Sequence, residues 1–294
     1  MRTRMIVSAA LVLATTAAAC ANAPAGGSGS PSTGAFSYPT GPDTVVVRID
    51  TGGGFISPDV TLTQLPSFSL MGDGAAITPG AVPAIYPGPA MAPMFQQAYS
   101  GAAIEQILQL AKTDGLLGPS KDHTDLGSIG IADAPTTTII VVADGQTHTF
   151  RFYALGELGG TKPPQMSQAE FDARAGALDF SKKTADAGWL PTGSVGQSQT
   201  YEPAAIRVYP KAYQADPNMT EPAADWPLSP GLAQFGQPVS GGAGEPIRCG
   251  AVTGSDLATL LPLVEKANQL TPWTSDGKEY TLLFRPMLPD ETGC

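Results

Sequence analysis

The sequence predicts an α+β fold of mostly antiparallel strands and about three helices, arranged as two related strand–helix–hairpin halves. Three observations lead there. Runs of β-branched residues are bounded by turn residues, and two of them fold back at Asp144-Gly145 and Asp276-Gly277, dipeptides that favour tight hairpin turns. Helical periodicity is confined to segments opening at Ser100, Ser167 and Thr253. The first of these recurs at the third: Ala98-Tyr99-Ser100-Gly101 aligns with Ala251-Val252-Thr253-Gly254, and Ile104, Ile107 and Leu108 align with Leu257, Leu260 and Leu261. Two unrelated amphipathic helices of similar composition are the plainer account of that match, and both readings stand at this point.

The elements follow in chain order. Arg2 and Arg4 precede an apolar run from Met5 to Ala14, and small residues lead up to Cys20. That order predicts a secretory signal over residues 1–19. The run is shorter than the roughly 20 apolar residues that span a bilayer. Small residues directly before a cysteine resemble the bacterial lipobox, in which the thiol receives a diacylglyceryl group and the cysteine becomes the new N-terminus. Ala17 stands where that motif more often has Leu. An ordinary signal with an incidental Cys20 is the alternative. Residues 20–43 are rich in Gly, Ser, Pro, Thr and Ala and carry no Lys or Arg. They read as a flexible tether that holds the domain roughly 25 Å from the membrane.

The first α+β half is expected over residues 44–160. Thr44 to Ile49 is a β-branched strand, broken by Gly52-Gly53-Gly54. No P-loop Lys or Ser/Thr follows those glycines, so they predict a bend rather than a phosphate site. Leu62–Leu70 and Ala75–Thr78 flank Gly72-Asp73-Gly74 as a hairpin, and Ala84–Tyr86 and Met94–Tyr99 read as short strands. Ser100 caps a helix with Ile104, Ile107, Leu108 and Ala111 on one face, and Gly115 stops it. A polar loop, 119–133, leads to a hairpin of Thr136–Val142 and Thr147–Tyr153. A connecting helix follows over 161–188, opened by the capping box Ser167-Gln168-Ala169-Glu170, with Phe171, Ala175 and Leu178 on its apolar face. The second half, 189–294, carries a strand at Ala205–Tyr209, a Pro-rich passage over 210–246, a helix capped by Thr253, and the last hairpin.

Composition bounds the chemistry. Gly 34 and Pro 28 make up about a fifth of the 294 residues, which demands many turns yet stays below low-complexity levels of roughly 25–30%. The formal charge is −10, and loss of Arg2 and Arg4 with the signal would take it to −12. Such a surface repels phosphate backbones, so no nucleic-acid partner is expected. Two histidines exclude a His-rich metal site, and no cofactor is expected. Asp122-His123-Thr124-Asp125 reads as a solvated loop, because its spacing fits no metal geometry. His148 alternates with Phe150 and Phe152 and is expected to face apolar neighbours. Asp290 and Glu291 are adjacent and so point apart on a strand. Apart from Cys20, Cys249 and Cys294 form an even pair, and export favours a disulfide between them over a reactive thiol. Trp189, Trp226 and Trp273 are the candidate platform for a sugar or peptide.

Further phrases carry a resemblance. Leu65-Pro66 to Asp73-Gly74, Ala134-Pro135-Thr136-Thr137-Thr138, Tyr153-Ala154-Leu155-Gly156 and the tail from Leu270 to Cys294 resemble a family of lipoproteins from high-GC Gram-positive bacteria. The likeness covers most of residues 44–294. It implies export, lipid anchoring and one coherent fold, and it brings no catalytic residues with it. The expectation is therefore an exported lipoprotein, anchored to the outer face of the cell membrane through Cys20. It would bind or scaffold a cell-wall or envelope protein partner rather than catalyse a reaction. An envelope hydrolase acting through carboxylates and a transporter's solute-binding lipoprotein are the alternatives.

Overall fold

A computed structural model of the chain describes residues 34–82, 84–239 and 247–294. The fold is α+β, with two mostly antiparallel sheets. Strands β1 (Val45–Gly52), β2 (Phe68–Met71), β3 (Ala75–Pro79), β4 (Met94–Ala98), β5 (Lys121–His123), β6 (Thr136–Ala143), β7 (Gln146–Tyr153) and β8 (Gln199–Thr200) build the first sheet. Its order is β5-β7-β6-β1-β2-β3-β4-β8. Strands β9 (Ala205–Ala212), β10 (Ala224–Asp225), β11 (Gln237–Val239), β12 (Ile247–Thr253), β13 (Trp273–Ser275) and β14 (Lys278–Pro286) build the second, in the order β10-β13-β14-β9-β12-β11. Helices α1 (Pro58–Thr63), α2 (Gly101–Thr113) and α3 (Gln168–Ala185) belong to the first sheet's part of the chain, and α4 (Gly254–Val264) to the second's.

Local chemistry explains α2 in full. The Ser100 hydroxyl accepts the Ala103 N–H at 3.3 Å. Ile104, Ile107, Leu108 and Ala111 are all buried. At the other end Gly115 takes φ +78, and Leu116 N–H reaches back to Ala111 O at 2.7 Å, closing the helix as a Schellman turn. The buried stripe lies in one core with Ile49 of β1, Ile139 and Val141 of β6, and Phe150 and Phe152 of β7. A second core collects Ile206 and Val208 of β9, Leu257 and Leu260 of α4, Trp273 and Phe284.

Several expectations need correction. Residues 34–43 are not tether. Phe36 and Tyr38 are buried in the first core, Ser37 N–H donates to Asp144 Oδ1 at 2.9 Å, and Phe36 N–H donates to Glu105 Oε2 at 3.3 Å. Two aromatic rings give this otherwise polar stretch enough apolar surface to order it. Residues 1–33, with the signal and Cys20, lie outside the described residues. The strand expected over Leu62–Leu70 begins only at Phe68, and Leu62 and Thr63 end a helix, Pro58–Thr63, in which Ser57 caps Val60 N–H and Pro58 sits in the first turn. Ala84–Tyr86 forms no strand. Helix α3 buries Arg174, Ala177, Phe180 and Thr184, whereas Phe171, Ala175 and Leu178 line a surface cleft with Leu155 and Leu158. Thr253 makes no side-chain cap bond.

The expected strand–helix–hairpin order holds in each half: β4, α2 and the β6–β7 pair; β12, α4 and the β13–β14 pair. The sheets differ in what lies between. Three strands, β1, β2 and β3, separate β4 from β6, but β9 alone separates β12 from β14.

The sheets meet along a seam. Met71, Ile77, Met94, Tyr201 and Leu288 form a small third core there. Residues 88–91 cross onto the second half, where Ala90 N–H bonds Ala267 O at 3.3 Å and Gln269 N–H bonds Gly88 O at 2.9 Å. Register fixes the ends of the first sheet. Val45 pairs with Met71 and Ala75 with Ala98, so residues 36–44 share an end with Gly72 and Tyr99. Gly52, Pro79 and Met94 lie at the opposite end.

Candidate functional site

The polar residues singled out in the sequence prove to be structural. Of the expected loop Asp122–Asp125, Thr124 and Asp125 are loop, but Asp122 and His123 belong to the strand Lys121–His123, parallel to β7. The His123 ring is buried, stacks on Phe152 at 4.5 Å between centroids, and its Nδ1 lies 2.6 Å from Glu170 Oε2. Arg174 completes the cluster: its Nε bonds Glu170 Oε1 at 2.9 Å, and its Nη atoms bond the Tyr153 and His123 carbonyls at 2.9 and 2.5 Å. Each charged group here is answered, so the cluster pins α3 to the sheet edge. His148 faces inward with Phe150 and Phe152, and its Nδ1 meets the Gly118 carbonyl at 2.7 Å.

Asp290 and Glu291 point apart to different partners. Arg48 grips Asp290 in a two-pronged pair, both bonds 2.7 Å. Arg285 grips Glu291 at 2.6 and 2.7 Å and also donates to Gln64 O at 2.8 Å. Burial pushes Glu291 up, but the Arg285 bonds, the Leu288 N–H and the Arg285 and Arg207 charges outweigh it and leave its carboxyl below the usual value. Both pairs cross between the halves or brace the tail that does. Cys249 and Cys294 form the disulfide, Cα atoms 5.9 Å apart, which ties that tail to β12.

The three tryptophans make no platform. Trp273 and Trp226 are buried in the second core, their rings 6.5 Å apart edge to face. Trp189 packs on the first core and donates its indole N–H to Lys183 O at 2.8 Å. Apolar burial inside two small cores claims these large rings, so the structure does not gather them on one surface.

The seam itself holds a cleft. It encloses about 580 Å³ and is walled by Ile85, Met91, Met94, Leu261, Val264 and Pro286. That volume falls in the range of roughly 300–1,000 Å³ typical of small-molecule sites, as does the apolar lining. Pro87, Pro89, Pro93 and Pro203 stiffen its walls. Tyr201 lines it with its hydroxyl turned to Met287 O at 2.8 Å. Burial, then the Glu291 and Asp290 charges, push that hydroxyl up to about 12, so it stays protonated. Two carboxylates, Glu202 and Glu265, complete the lining, both on exposed residues. Sequence reasoning missed them. Their only local signal was the run of prolines over 79–93 and at 203, which marks rigid chain without saying what it faces.

Among the described residues, no three His, Cys, Asp or Glu side chains gather to hold a metal. No helix of the described residues is long and apolar enough to cross a membrane. No family model, curated protein or solved structure matches the chain.

Proposed function

We propose that the protein is an exported lipoprotein, anchored through Cys20, that binds an apolar ligand in the seam cleft. The cleft is the single observation that supports this reading: 580 Å³ walled by aliphatic, methionine and proline side chains, a lining that suits an apolar body and offers few donors to a sugar. Anchoring rests on the N-terminal sequence. The hydrolase alternative loses the adjacent acids Asp290 and Glu291, which Arg48 and Arg285 engage. The transporter alternative needs doubly wound α/β lobes, and both sheets here are mostly antiparallel. The test is native mass spectrometry of protein isolated from its own envelope, beside an Ala92→Trp variant that fills the cleft. A bound apolar mass is expected on the wild type and lost from the variant. Equal adducts on both, or none on either, would overturn the reading.

A further inference from the structure

We infer that the cleft selects a cationic amphiphile: an apolar body carrying an ammonium group. The inference rests on the cleft being a binding site and adds what it discriminates. The walls supply the apolar half. The charge comes from Glu202 and Glu265, which line the same cleft from different parts of the chain, one just after β8 and one at the end of α4. Among the described residues neither carboxylate has a hydrogen bond or an ion pair, although the carboxylates at the nearby seam are bound to arginines. No Lys, Arg or His is among the cleft's described lining residues. An anion entering would therefore meet only like charge beside apolar walls. A cation would meet two unclaimed carboxylates. The neighbouring polar groups do not compete for it. The Tyr201 hydroxyl donates to Met287 O, and Asn268 Oδ1 accepts the Leu270 N–H at 2.8 Å.

Short amphiphiles with one tail and different heads separate the charge inference from the cleft reading. The full chain in lipid nanodiscs, with empty nanodiscs as blank, is titrated calorimetrically with octyltrimethylammonium, octanol and octyl sulfate. Octyltrimethylammonium should bind at least tenfold tighter than octanol, and octyl sulfate weakest. Glu202→Gln with Glu265→Gln should bring the ammonium within about twofold of octanol. Ala92→Trp should abolish binding of all three. If octanol or octyl sulfate binds the wild type as tightly as the ammonium, or if the double Gln variant keeps the preference, the charge inference is overturned and the cleft reading survives. If none of the three binds the wild type, or if Ala92→Trp leaves them unchanged, both fall.

Discussion

Glu291→Gln tests how the tail holds the seam. Arg285 and Glu291 are 8% and 14% exposed, so the pair is close to fully buried. Glu291 accepts two guanidinium bonds and the Leu288 N–H at 2.9 Å. A glutamine keeps the shape but removes the charge and turns amide hydrogens toward the guanidinium. Removing one partner of a buried pair costs about 3–5 kcal/mol. The Asp50 charge still acts on Arg285, which lowers the expectation to about 2–4 kcal/mol. Denaturant unfolding at pH 7 measures it. The acid limb supplies a second readout. Because the folded Glu291 carboxyl lies below its ordinary 4.5, its stabilisation is complete above 4.5 and is lost as pH falls through the depressed value. The gap between wild type and variant should therefore hold from pH 7 to 5.5 and narrow below 4.5. Arg285→Met combined with Glu291→Leu should cost less than the two single changes added, by at least about 1 kcal/mol. A Glu291→Gln variant within about 0.5 kcal/mol of wild type, with an unchanged acid limb, would refute the reasoning, since surface pairs are worth that little.

Cys294→Ser opens a disulfide whose cysteines are 45 residues apart, and should lower unfolding stability by about 4 kcal/mol in the chain-entropy account; free thiols at Cys249 and Cys294 in protein from the envelope would contradict the bond. Asp114 has a buried Oδ2 with no hydrogen-bond partner among the described residues, and burial, then the Asp179 charge, raise its carboxyl to about 6. Its folded value lies above the ordinary 3.8, so its contribution is complete below 3.8 and is lost as pH rises through 6. Asp114→Asn should thus add about 1 kcal/mol at pH 7, after discounting for solvent screening, and nothing at pH 3.5; equal gains at both pH values would rule this out. Cys20→Ser should leave the protein unprocessed or release it to the medium, and unchanged membrane fractionation with normal cleavage would remove the lipid anchor.

What the sequence made legible was local. The α2 segment carries its cap, its apolar stripe and its stop within about 16 residues, and each was readable before any tertiary contact was known. The Asp144-Gly145 and Asp276-Gly277 turns were readable for the same reason: Asp144 and Asp276 take φ +52, a conformation Asp tolerates better than most residues. The start of α3 was legible through Ser167, yet its inner face was not. Arg174 is buried because its bonds reach carbonyls 21 and 51 residues away, and helical periodicity knows nothing of them. His123 was misread for the same cause, since its burial depends on a three-residue strand joining β7. Asp290 meets Arg48 across 242 residues. The cleft draws its lining from residues 85–94, 200–203, 261–268 and 286, so no window of sequence contains it.

The placement of the proposed anchor and the cleft follows from the strand directions. At the start of the described chain the Phe36 N–H is pinned to Glu105 on α2 and the Ser37 N–H to Asp144 at the hairpin turn. From there the chain runs past Gly72, at the end of the first sheet where β1 begins. Pro93 and Met94, which line the cleft, lie at the other end, about 14 Å away along β4 from Ala98 to Met94. The proposed anchor at Cys20 precedes residues 34–43, whose Phe36 and Tyr38 pack into the first core beside the end of the sheet where β1 begins. Binding in the cleft then need not compete with the lipid surface for the same face of the protein. The seam that forms the cleft is braced by Arg48–Asp290, by Arg285–Glu291 and by the disulfide on the same tail. A ligand therefore meets walls whose ordering cost was met on folding, and more of the contact energy remains for affinity. Glu291→Gln and Cys294→Ser should for that reason weaken octyltrimethylammonium binding as well as stability, although neither side chain lines the cleft.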